Sequence, residues 1–131
     1  TGEDTLSLHD ALPILNSLIT SFNALIGYQR PLTLQDAATV SWDVSRGYNA
    51  QVTLEGSRTL LVGGLTIGDY GTLKVIQGSG GSKTLTLPSN SKVSGGGSGA
   101  ITLSTAAGAI DIVTFYYDGT TLFWNLATNF T

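Results

Sequence analysis

The chain has 131 residues, 41% hydrophobic and 11% charged, with no cysteine, one histidine and a formal net charge of −3. That length suits one domain with its own core. The missing cysteine excludes a disulfide scaffold and a thiolate metal site, and no run of about 18 apolar residues exists to cross a membrane.

Glu3, Asp4 and Asp10 carry the net charge: nine acids less these three leave six, against the six bases found in residues 15–131. The body is therefore neutral, and no basic field draws in nucleic acid. Few charges with abundant Gly, Ser and Thr suit an all-β protein, whose turns use Gly and whose wet strand faces use Thr and Ser. Residues 5–14, Thr5-Leu6-Ser7-Leu8-His9-Asp10-Ala11-Leu12-Pro13-Ile14, are similar to the translation of a common short-read sequencing adapter. That likeness implies a metagenomic reading frame whose first residues were lost or replaced. Residues 1–14 are accordingly expected to be a tail outside the fold, and His9 is given no chemical role.

From Leu15 the pattern is helical. Leu15, Leu18, Phe22 and Leu25 recur at spacings of 3, 4 and 3, and Ile19 and Ile26 widen the stripe. Gly27 is a natural stop, so a short amphipathic helix is expected over 15–27. Fewer than two heptads is marginal alone in water, and the helix is expected to pack on the β-domain or on its own copies. Its polar face has no Lys or Arg, which argues against a membrane-surface helix.

Beyond it the period shifts to two. Strands are expected near 39–44, 50–54, 59–62, 71–77, 83–87, 100–103, 110–117 and 122–127, with Gly, Pro, Asn or Asp turn signals between most of them. Long helical patterns between strands are missing, so parallel βαβ units are not expected. The expectation for residues 28–131 is an antiparallel, jelly-roll-like β-sandwich. The last two strands read as a hairpin about Asp118-Gly119, a pair that supplies the two positive-φ positions of a tight turn. Both faces of this hairpin are apolar, Ile110, Ile112 and Tyr116 on one and Val113, Phe115 and Tyr117 on the other. One face is expected to line the domain core and the other a subunit interface, carried by Phe115, Tyr117 and Phe123.

Motifs for chemistry are scarce. Gly78-Ser79-Gly80-Gly81-Ser82-Lys83-Thr84 has the look of a phosphate loop, but Ser82 stands where Gly should precede Lys, and a strand follows where a helix must. Asp43 and Asp111 lie within strands and are expected to be buried and paired with Arg46, Arg58 or a backbone amide rather than to act as an acid/base pair. No histidine outside residues 1–14 is present to serve as a base for a Ser nucleophile or to bind zinc. No catalytic residue, metal or cofactor is expected. Trp42, Tyr28, Tyr48 and Tyr70 sit near loops or strand ends. Trp42 is expected in the core and the tyrosines at a rim or interface, with Tyr48 and Tyr70 as candidate glycan contacts.

Ala38-Thr39-Val40-Ser41-Trp42-Asp43 followed by Asn49-Ala50-Gln51-Val52-Thr53-Leu54-Glu55-Gly56, with Gly71–Gln77, Lys83–Pro88, Ala109–Ile112 and Tyr117-Asp118-Gly119, resembles a module of tailed-bacteriophage virion structural proteins. Such modules occur in tail fibres, receptor-binding proteins and decoration proteins. The resemblance covers about residues 38–125 and includes no active-site signature. It implies a β-sandwich that trimerises, often beside a short coiled coil, with itself, other virion proteins and host-surface glycans as partners, and a place on the extracellular particle. A lectin-like adhesion domain is the alternative expectation, and a polysaccharide depolymerase the third.

Overall fold

The computed structural model describes residues 7–97 and 99–131, and for residues 26–29 the backbone alone. Among the described residues one α-helix, α1 (Leu8–Gln29), precedes nine strands. Ser7 caps the helix: its Oγ accepts from the Asp10 amide at 3.2 Å and donates to Asp10 Oδ2 at 2.8 Å. This reciprocal cap satisfies an otherwise orphaned amide and places a carboxylate in the first turn. The helix thus encloses the expected 15–27 segment but begins seven residues earlier, within the stretch expected to be a tail, and it runs through Pro13. At 22 residues it is about 33 Å long.

The strands are β1 (Leu32–Thr33), β2 (Thr39–Asp43), β3 (Asn49–Leu54), β4 (Arg58–Gly63), β5 (Tyr70–Gln77), β6 (Leu85–Thr86), β7 (Ser91–Val93), β8 (Ile110–Tyr117) and β9 (Leu122–Phe130). They form a six-stranded sheet, β1-β3-β5-β8-β9-β7, and a three-stranded sheet, β2-β4-β6. The strand-rich body with a leading helix matches expectation, but the pairing does not. Among the described residues, β1/β3, β3/β5, β2/β4, β4/β6 and β7/β9 pair parallel, and only β5/β8 and β8/β9 pair antiparallel. The chain winds: odd strands up to β5 fall in the large sheet and even strands up to β6 in the small one. Parallel neighbours need a crossover of a dozen or more residues. For the four pairs among β1 to β6 a strand of the opposite sheet supplies it, and for β7/β9 the connection runs through β8 of the same sheet, so no helix is required. The expected strand at 100–103 is coil, and the short β1 and β7 were not anticipated.

The inward face of the large sheet is a continuous apolar row. Leu32 pairs with Ala50, Ala50 with Leu73, Leu73 with Val113, and Val113 with Leu126. Val40, Trp42, Leu60 and Leu85 of the small sheet join the same buried cluster. Between the sheets Trp42 meets Phe115 edge-on at 5.3 Å, and Phe115 meets Trp124 at 5.2 Å. Their polar atoms are satisfied, Trp42 Nε1 donating to Gly47 O and Trp124 Nε1 to Ser91 Oγ, each at 2.8 Å. Gly71 makes room for the rings: a Cβ there would lie 2.6 Å from Phe115 Cε1 and 2.8 Å from Trp42 Cη2. Gly71→Ala is expected to cost about 1–3 kcal/mol of stability through overpacking. It is read as a lower urea midpoint with an unchanged slope, and an unshifted midpoint would show that the rings yield to a methyl.

Candidate functional site

The residues singled out from sequence fall in three places. Leu15, Leu18, Phe22 and Leu25 all stand exposed on α1, between 49% and 65% accessible. Every described side chain of the helix except Ala11 is exposed. With the helix starting at Leu8, the stripe extends to Leu8, Ala11, Leu15, Leu18, Phe22 and Leu25, an unbroken 3-4 alternation. Leu12 and Ile19, exposed as well, widen one flank. This is a seam without a partner in the single chain.

The hairpin residues divide differently from expectation. Phe115, expected at a subunit interface, is only 4% exposed and belongs to the chain's own core. Tyr117 packs against that core and donates its hydroxyl to Gly119 O at 2.8 Å. Phe123 is exposed, and so is Tyr116, which the sequence reading had not placed in the interface set. The turn also differs. Only Gly119 has positive φ, and residues 118–121 form a loop closed by Asp118 Oδ1, which accepts from the Thr120 and Thr121 amides at 2.9 and 2.7 Å. Asp118 thus works as an acceptor for two amides rather than as a left-handed turn residue.

Tyr48 and Tyr70 come together, their ring centroids 5.5 Å apart and tilted by 45°. Tyr48 leads into β3 and Tyr70 opens β5. With Asn49 and Thr72 they line a shallow cleft of about 560 Å³ on the outer face of the large sheet. Trp42 is in the core as expected, and the side chain of Tyr28 lies outside the described residues.

The acids are engaged in holding backbone. Asp111, 1% exposed, accepts from the Ser104 amide and hydroxyl at 2.7 Å each and from the Asn129 amide at 2.8 Å. Asn129 has positive φ, and the β8/β9 register shifts beside it, so Asp111 anchors a bulge. Asp43, expected to be buried, is exposed; its Oδ1 accepts from the Ser45 amide and hydroxyl at 3.1 and 2.6 Å and caps a single turn of 3₁₀ helix, residues Val44–Arg46. The phosphate-loop look-alike is closed on itself. The amides of Gly78, Ser79, Gly81, Ser82 and Lys83 donate to Leu54 O, Glu55 Oε2, Gly78 O, Thr105 O and Gln77 Oε1. Those groups are turned to protein acceptors rather than to an anion. Among the described residues no group of three or more His, Asp or Glu side chains is placed to hold a metal ion. None of the described helices is long and apolar enough to cross a membrane.

No family model matches the chain, and neither does any curated protein or solved structure with which it was compared.

Arg58 grips Asp36 with two bonds, Nε to Oδ1 at 2.8 Å and a terminal nitrogen to Oδ2 at 2.6 Å, tying the segment before β2 to β4. The guanidinium's hydrogen bonds hold the Asp36 carboxyl below the ordinary carboxylate range. The Thr121 and Thr120 amides do the same for Asp118. Both shifts are downward, so each carboxylate's contribution is present above its unfolded pKa and lost as pH falls through the folded one. The urea midpoint is expected to hold near neutrality and to fall below about pH 4. Asp36→Asn should remove part of that fall, and an identical acid profile in the variant would show that the pair adds nothing.

Proposed function

We propose that this chain is a structural module of a phage virion, a tail-fibre or decoration protein that assembles as a trimer through α1. The observation that carries the assembly is the exposed helical seam. Burying a Leu or Phe side chain is worth about 1.5–3 kcal/mol, so Leu15, Leu18, Phe22 and Leu25 favour association over a free helix. A seam limited to the 3-4 positions suits two helices, whereas Ile19 beside Leu15, Leu18, Phe22 and Leu25 widens the stripe toward a surface that three helices cover better. The virion assignment rests on the resemblance in strands and turns over residues 38–125. The sandwich which that resemblance implies is supported at the level of two sheets closing on one core.

A specific observation favours the second reading, a glycan-binding adhesion domain: the Tyr48–Tyr70 contact in a cleft that Asn49 and Thr72 also line. The two readings are compatible, since a virion module that touches a host surface meets glycans there. A depolymerase has no such support, because Asp43 and Asp111 are both taken up by backbone and hydroxyl donors.

Sedimentation velocity at micromolar concentration is expected to show a trimer, and a monomer there would overturn the assembly. Leu18→Glu combined with Phe22→Glu should yield a monomer with the β-body's circular dichroism and urea midpoint preserved, because both side chains lie away from the core cluster. Antibodies raised against the β-body should label tailed particles in a viral concentrate from the source environment. Particles left unlabelled where the reading frame is abundant would count against the virion assignment.

A further inference from the structure

The outer face of the large sheet carries two rows that the strand register brings into line. In the first, Tyr70 of β5 stands opposite Tyr116 of β8, Tyr116 opposite Phe123 of β9, and Phe123 opposite Lys92 of β7. Tyr70, Tyr116 and Phe123 are 63%, 52% and 43% exposed, so three exposed aromatic residues are register neighbours across three strands. Tyr48 extends the row beyond Tyr70. The second row, one outward position further along, is Asn49, Thr72, Thr114 and Asn125. All four carry amide or hydroxyl groups able both to donate and to accept. Clefts of about 560 and 390 Å³ flank the aromatic row, the first lined by Tyr48 and Tyr70 and the second by Phe123 and Lys92.

Charge on this face is one-sided. The outward positions of β3, β5, β7, β8 and β9 within these ladders include Lys74 and Lys92 and no Asp or Glu. The body as a whole is neutral, and the one carboxylate on β8, Asp111, points inward. Further along the same strands Ile76, Ile110 and Ile112 also face outward, and the charge of Lys92 reaches the Asp118 carboxylate. At the Tyr70 end, the aromatic row beside amides and hydroxyls, with Lys74 beyond them, is complementary to a particular ligand class. Pyranose rings present C–H faces that sit on the negative face of an aromatic ring. Their hydroxyls pair with amide and hydroxyl side chains, and uronic or sialic carboxylates pair with lysine. The Tyr70–Phe123 row crosses two inter-strand spacings, about 10 Å, the reach of a disaccharide or longer.

We propose that this face binds an acidic oligosaccharide laid across the strands. Its sugar rings stack on Tyr70 and Tyr116, its hydroxyls meet Thr72 and Thr114, and its carboxylates meet Lys74 or Lys92. This deepens the host-contact part of the reading above and does not depend on the trimer.

The test is a printed array of bacterial capsular and lipopolysaccharide oligosaccharides, neutral and acidic, probed with the full chain. Acidic glycans are expected to bind, followed by titration of the best one in solution. Tyr70→Ala and Tyr116→Ala should each weaken binding about tenfold, the loss of one stacked ring. Tyr116→Phe should retain it, because the ring is kept. Lys74→Gln should weaken acidic glycans and leave neutral ones unaffected. These side chains lie outside the core, so an unchanged urea midpoint confirms that each variant is folded.

An array with no bound glycan overturns the proposal, as does binding that survives both alanine substitutions. Tetranitromethane failing to nitrate Tyr70 and Tyr116 in the assembled protein also overturns it, since a second copy would then cover the face. Glycan binding by a chain that sediments as a monomer would remove the trimer and leave this site standing. A trimer that binds no glycan would do the reverse.

Discussion

The contact among Trp42, Phe115 and Trp124 is the constraint on which the body depends. Trp42 comes from the small sheet, and Phe115 and Trp124 from the hairpin that completes the large one. Large aromatic rings contribute more buried area than any other side chains, with a further gain from edge-to-face geometry. The contact requires a gap in β5, which Gly71 provides, and partners for two indole N–H groups, which Gly47 O and Ser91 Oγ provide. The Ser91 bond also holds β7 beside β9, so one set of rings locates the last strand of the sheet as well as the sheet-to-sheet packing.

Around that centre, polar side chains do the work that regular ladders do elsewhere. Gln77, 2% exposed, donates to Lys83 O and accepts from the Lys83 amide, copying a strand pairing where the backbone turns away. Asp111 does the same for the segment at Ser104 and for the bulge at Asn129. Among the described residues no buried side-chain polar atom lacks a partner. Such groups are costly when unpaired, so their full engagement makes them structural. Exposed apolar and aromatic side chains gather instead on the helical seam and on the outer face of the large sheet.

Those two surfaces are chemically unlike. The helix presents apolar side chains at a 3-4 repeat, whereas the sheet face mixes aromatic rings, amides, hydroxyls and lysines with Ile76, Ile110 and Ile112. Under the two proposals above, assembly and recognition would fall to separate parts of one short chain.

Much was legible in sequence. Alternation located the strands at 39–43, 49–54, 58–63, 70–77, 110–117 and 122–130 to within about three residues, and the helical stripe followed from its 3-4 spacing. A structural rather than catalytic place for Asp111 was also suggested by residue types, but its partners were not: Arg46, Arg58 and a backbone amide stood equally open, and the Ser104 and Asn129 donors emerge only in the fold. The direction of pairing was not legible, because in-out alternation is the same for parallel and antiparallel neighbours, and a crossover through the opposite sheet leaves no helical pattern behind. Nor was the face of β8 that turns inward. Both faces of that strand are apolar, and the parity that holds Phe115 also holds Asp111, a carboxylate that only the Ser104 and Asn129 donors make burial-competent. The row of Tyr70, Tyr116 and Phe123 comes from residues up to 53 positions apart, brought together by register. Local sequence determines which residues are strand, turn or helix. Which strands become neighbours depends on contacts between distant residues, and these exist only once the core has closed.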